Sequence, residues 1–157
     1  MTESVQQTTW SPPVAILLVE DDPADQKLIR ASLKSQRITS DLHVASSAEE
    51  GLAFLQACKE TSGRTSWPDL ILLDLNMPGM GGKEFLRQIK ADEGLKQIPV
   101  VIVTTSNSER DMVDGYRLQA AGYIHKPASL DELKQVIGEI QDYWFVLCKL
   151  PRKEQSN

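Results

Sequence analysis

The sequence predicts an α/β domain: an open, doubly wound sheet of parallel strands with helices on both faces. Two observations predict it. Short apolar runs such as Leu70–Leu73 and Val100–Val103 show no polar alternation, so both faces of each strand must be covered. Stretches with apolar residues at helical spacing separate these runs, giving the strand–helix alternation of a parallel sheet.

The elements follow in order along the chain. Residues 1–13, rich in Thr, Ser, Gln and Pro, predict a loose tail. Val14–Val19 is a first strand. Pro23 to about Gln36 is a helix with Ala24, Leu28, Ala31 and Leu33 as its apolar residues. Leu42–Ala45 is a short strand and Ala48–Cys58 a helix, followed by the polar loop KETSGRTSWP. Leu70–Leu73 is the third strand. Gly82–Ala91 is helical, with Phe85, Leu86 and Ile89 on one face. Val100–Val103, Ser108–Leu118, Tyr123–His125 and Leu130 to about Leu147 complete the series as strand, helix, strand and final helix. That makes five strand–helix units in 157 residues, the length of one domain with a sizeable core.

Composition narrows the function. A net charge of −5 with no basic run lacks the electrostatic footprint of a nucleic-acid binder. No apolar stretch is long enough to span a bilayer, and MTESVQQTTWSPP lacks the apolar core of a signal peptide. Cys58 and Cys148 match no metal or disulfide spacing. A reduced, cytoplasmic protein is therefore expected.

Right-handed crossovers put the C-terminal ends of all parallel strands on one edge, where ligands of such sheets bind. The residues just past those ends are Glu20-Asp21-Asp22, Asp74, Thr104-Thr105 and Lys126-Pro127. Clustered carboxylates resist ionising together unless a cation sits among them, and hard oxygen donors suit magnesium. A magnesium site beside a carboxylate nucleophile, with an ammonium and a hydroxyl opposite, is equipment for phosphoryl transfer. Asp22 and Pro23 have a plainer role as N-cap and first residue of a helix. That role leaves Glu20 and Asp21 unexplained.

The segments "ILLVEDDP", "PDLILLDLNMPGMGG", "IPVVIVTTS" and "AAGYIHKP", in this order and at these intervals, resemble a two-component response regulator receiver domain. The resemblance implies a flavodoxin-like five-stranded parallel sheet of order 2-1-3-4-5 with five helices. It implies a receiver domain over 14–148, with tails at 1–13 and 149–157. Asp74 would be the phosphoacceptor. Glu20, Asp21, Asp74 and the backbone carbonyl of Asn76 would hold Mg²⁺. Thr104 would bond a phosphoryl oxygen after switching, Lys126 would pair with another, and Tyr123 would be the aromatic that rotates inward. The Lys126–Pro127 bond would be cis. Gly81 departs from the family pattern: many receivers carry Asp there as helix cap, so a looser helix start is expected.

The long loop before "PDLILLDLN", the "TTS…D" of residues 104–111 and the ending "DYWFVLCKLP" are similar to regulators paired with phytochrome-type histidine kinases. A stand-alone phosphorelay switch is thus implied, not an enzyme but a signalling protein that assists its own phosphorylation and dephosphorylation. Its expected partner is a sensor histidine kinase, with neither nucleic acid nor membrane. Tyr143-Trp144-Phe145-Val146 cannot all face one core from a helix; either the helix end tucks against its own domain or an aromatic is exposed, and the resemblance then implies a homodimer through the fourth predicted helix, the fifth strand and the final helix. Two alternatives stand beside this reading. A haloacid-dehalogenase-type phosphatase would need a second Asp where Asn76 stands, and a pure interaction module would use the aromatic run without phosphate chemistry. His43, His125, Cys58 and Cys148 are expected to be structural.

Overall fold

The computed structural model describes residues 14–34, 40–61, 67–104, 120–126 and 130–141. In chain order the elements are β1 (Val14–Val19), α1 (Pro23–Lys34), β2 (Ser40–Ala45), α2 (Ala48–Glu60) and β3 (Leu70–Leu73), then α3 (Gly81–Ala91), β4 (Val100–Thr104), β5 (Gly122–His125) and α4 (Leu130–Gln141). The strands form one parallel sheet in the order β2-β1-β3-β4-β5. Both expected tails, the Ser108–Leu118 helix, the aromatic run at 143–146, Cys148 and the Lys126–Pro127 bond lie outside the described residues.

Strand alternation splits the core into two layers. Leu17, Val19, Ile71, Leu73, Val100 and Ile102 point to one face, where they meet Leu55 of α2 and Phe85, Leu86 and Ile89 of α3. Ile16, Leu18, Leu70, Leu72, Val101 and Val103 point to the other, where they meet Ile29 and Leu33 of α1. Every residue of β3 and β4 is buried, as unbroken apolar runs require.

The phase of α1 differs from the sequence expectation. Ala24 and Ala31 are exposed, and the buried residues are Ile29, Ser32 and Leu33. Ser32 enters the core because its hydroxyl donates to the Leu28 carbonyl at 2.8 Å, so its polar group is satisfied within the helix. The inward stripe therefore runs through positions 25, 29, 32 and 33, which share a face at spacings of three and four. Asp25 thereby turns toward the sheet.

The turn after β3 is fixed by backbone contact. A Cβ on Gly82 would lie 2.4 Å from the Asp74 carbonyl oxygen and 2.7 Å from Leu75 Cα, so α3 presses directly on the backbone of β3's end. The expected looser start of α3 is met by a distant residue. Met80 makes no side-chain cap bond, but its N–H donates to Glu49 Oε2 of α2 at 3.3 Å. Gly79, at φ 79°, lets the chain reach that carboxylate.

Gly82→Ala is expected to destabilise the fold by about 1–3 kcal/mol through overpacking, although alanine is the better helix former by about 1 kcal/mol. Urea denaturation measures the difference. A variant as stable as the parent would mean that α3 does not press on the Asp74 backbone.

Candidate functional site

Each strand hands its following residue to the C-terminal edge through one further ladder bond. The Glu20 N–H donates to Ala45 O at 3.0 Å, Asp74 N–H to Val19 O at 3.0 Å, and Lys126 N–H to Thr104 O at 2.7 Å. These rungs extend the parallel registers Val19↔Ala45, Val19↔Leu73 and Thr104↔His125. Glu20, Asp74 and Lys126 are therefore placed by backbone pairing before any side chain acts.

The predicted residues meet. Oxygen atoms of Glu20, Asp21 and Asp74 lie within 4.8 Å of one another. Glu20, Asp74, Thr104 and Lys126 are all buried, while Asp21 is half-buried. The Lys126 ammonium donates to Glu20 Oε1 at 2.7 Å and sits 4.0 Å from Asp74 Oδ2. Asn76 ties the other side: its N–H donates to Asp74 Oδ1 at 3.2 Å, and its Nδ2 to Thr104 Oγ1 at 3.3 Å. Tyr123 is in β5, paired with Ile102, and its side chain lies outside the described residues.

Sequence reasoning missed Asp25 and Gln26. Asp25 Oδ2 accepts a second bond from Lys126 at 2.8 Å. Gln26 Nε2 donates to the Glu20 carbonyl at 2.6 Å and to Ser46 Oγ at 3.1 Å, clamping the loop after β1 to the loop after β2. Asp25 stands four residues before the buried Ile29, and that interval signals a shared helical face once the phase of α1 is right. Asp22 has the expected capping role, its Oδ1 accepting from Ala24 N–H at 2.9 Å. His43 stacks on Phe54 with ring centroids 4.0 Å apart, and Cys58 is buried and in no disulfide; both are packing residues.

The electrostatics follow from burial. Burial pushes the Glu20 carboxyl up to about 7; the Lys126 hydrogen bond opposes that rise and the nearby Asp74 carboxylate adds to it. Burial works against the Lys126 charge, but its bonds to Asp25 and Glu20 outweigh this and hold its ammonium above the usual lysine value. The donor set consists of hard oxygens with more negative charge than one lysine offsets, and this set fits a divalent cation.

The response regulator receiver domain family matches residues 16–138. The chain belongs to that family. The response regulator Rcp1 of Synechocystis sp. (strain ATCC 27184 / PCC 6803 / Kazusa) is 39% identical over 141 residues, covering 90% of this chain and 95% of Rcp1. The crystal structure of the phosphorylated cyanobacterial phytochrome response regulator RcpA superposes with a TM-score of 0.80 at 37% identity, covering 90% of this receiver and all of RcpA. The Mn²⁺-bound form of Rcp1 gives 0.79 at 39% identity, covering 89% of this receiver and all of that chain. The flavodoxin-like parallel fold is thus that of a receiver, and among the described residues no helix is long and apolar enough to cross a membrane.

Glu20 is one of three carboxylates that could hold a metal; a proton on it would then compete for the same carboxylate, and divalent affinity should climb as that proton leaves. Calorimetric titration of Mg²⁺ into chelator-treated receiver should show affinity rising about tenfold per pH unit from roughly pH 5. The rise should level off above the Glu20 value of about 7. Affinity that is flat across that interval would remove Glu20 from the metal's donors.

Proposed function

We propose that this receiver is a phosphorelay switch that accepts a phosphoryl group on Asp74 from a sensor histidine kinase. The observation that carries the reading is the convergence of a buried nucleophilic carboxylate, two acidic neighbours, an ammonium and a hydroxyl at one sheet edge. In the transfer, the N–P bond of a kinase phosphohistidine breaks and an O–P bond forms at an Asp74 oxygen. The leaving imidazole takes up a proton. Mg²⁺, held by Glu20, Asp21, Asp74 and the Asn76 carbonyl, would neutralise charge developing on the phosphoryl oxygens.

The chain's own residues supply the rest. The ladder rung at Asp74 and the Asn76 N–H orient the acceptor carboxylate. Lys126, 4.0 Å from Asp74 Oδ2, is near enough to pair with a phosphoryl oxygen. Thr104 Oγ1, bonded to Asn76, would exchange that partner for another phosphoryl oxygen, with Tyr123 moving inward behind it.

The protein works as a phosphoacceptor that assists its own phosphorylation and dephosphorylation rather than as an enzyme with turnover on a small substrate. Asn76 supports this: an amide bonded to Thr104 cannot serve as the general acid of a phosphohydrolase. We place the receiver in the cytoplasm, with neither nucleic acid nor membrane as its partner. The likeness to RcpA and Rcp1 over nine-tenths of the chain supports a phytochrome-type kinase as donor. A homodimer through the face of β5 and the flanking helices is the proposed assembly.

Incubation with acetyl phosphate and Mg²⁺ should give a singly phosphorylated species by intact mass. Asp74→Asn should give none, and Lys126→Ala should slow its formation at least about tenfold, through loss of a charge-assisted bond worth about 1.5–3 kcal/mol. A parent protein left unmodified, or an Asp74→Asn variant modified equally, would reject Asp74 as the acceptor.

A further inference from the structure

The pairing of Lys126 is uneven. Its ammonium bonds Glu20 at 2.7 Å and Asp25 at 2.8 Å, yet stands 4.0 Å from Asp74 Oδ2. The two short partners differ. Glu20 is almost fully buried and belongs to the group of three carboxylates that can converge on a cation. Asp25 lies outside that group, with its side chain 22% exposed, so a cation that draws Glu20 away leaves the Asp25–Lys126 pair in place.

We propose that Asp25 is a positioning residue that competes with the phosphoryl group for the Lys126 ammonium, and so limits how strongly the phosphorylated state is favoured. The proposal rests on Asp74 as phosphoacceptor and assigns a role to a carboxylate which that reading does not use. Asp25 sits in the first turn of α1, and helix position rather than loop conformation holds its carboxylate on Lys126. A phosphoryl oxygen on Asp74 must draw the ammonium out of this ion pair. Asp25 also adds a negative charge beside a site that gains further negative charge on phosphorylation.

Beryllofluoride, which mimics a phosphoryl group on a carboxylate, gives an equilibrium measure of the effect. With saturating Mg²⁺, Asp25→Asn should bind it about tenfold more tightly than the parent, equivalent to ~1.4 kcal/mol. Asp25→Glu should restore most of the parent affinity. In a Lys126→Ala background the Asp25→Asn gain should shrink to below about twofold, because only the general charge effect remains. A second measurement covers a Lys126→Ala variant that fails to fold. The gain from Asp25→Asn should survive an increase in salt to ~1 M, where a charge effect acting at a distance is screened to a Debye length of about 3 Å.

Binding in Asp25→Asn that equals or falls below that of the parent overturns the proposal while leaving Asp74 as acceptor. So does a gain that persists without Lys126 or vanishes in salt. A parent that binds no beryllofluoride, or an Asp74→Asn variant that binds it as well, overturns the acceptor reading and this inference together.

Discussion

The site is governed by a charge imbalance in a place where charge is costly. Glu20 and Asp74 are buried side by side, with Asp21 and Asp25 at the margin, and Lys126 is the one buried cation among the described residues. Burying a carboxylate without a partner costs several kcal/mol after relaxation. One ammonium divided between two short contacts and one long one meets only part of that cost. Protonation of Glu20 is one way to relieve the excess, and a divalent cation is the other. A site with equal numbers of acids and bases would have no such appetite for a cation.

The imbalance is sustained by the backbone. Three ladder bonds deliver Glu20, Asp74 and Lys126 to the edge, and none of them depends on the charge of the side chain it delivers. Gly82 lets α3 press against the Asp74 backbone. The two-layer core fixes the strands that carry these residues. Packing energy spread over the whole sheet thereby holds a few residues in mutual repulsion, a strained arrangement that the rest of the fold over-determines.

Strand topology explains what could be read from the sequence. Unbroken apolar runs identify doubly buried strands, and the handedness of crossovers places all their ends together. Asp74, Thr104 and Lys126 could therefore be assembled without coordinates. Asp25 could not, because its role depends on the rotation of α1 about its axis. Alanines at 24 and 31 suggest an apolar stripe on one side, whereas Ile29 and Leu33 lie nearly half a turn away from them, and Ser32 hides on that side by bonding its own helix. Glu49 was equally hidden. The missing cap at Gly81 is a local signal, but the acceptor that compensates comes from α2, thirty-one residues before Met80. Only tertiary packing brings the two together.

Asn76 shows why a change at Asp74 cannot remain local. Its N–H holds one Asp74 oxygen, and its side-chain amide holds Thr104. The Thr104 carbonyl in turn accepts the Lys126 N–H, while the Lys126 ammonium returns to Glu20 beside Asp74. Asp74, Asn76, Thr104, Lys126 and Glu20 thus form a ring of polar contacts closed across β1, β3, β4 and β5. A group added to either Asp74 oxygen must compete with the Asn76 N–H or lie against the Lys126 ammonium. In a ring with little water to substitute for a lost partner, displacing one bond shifts the balance at the next.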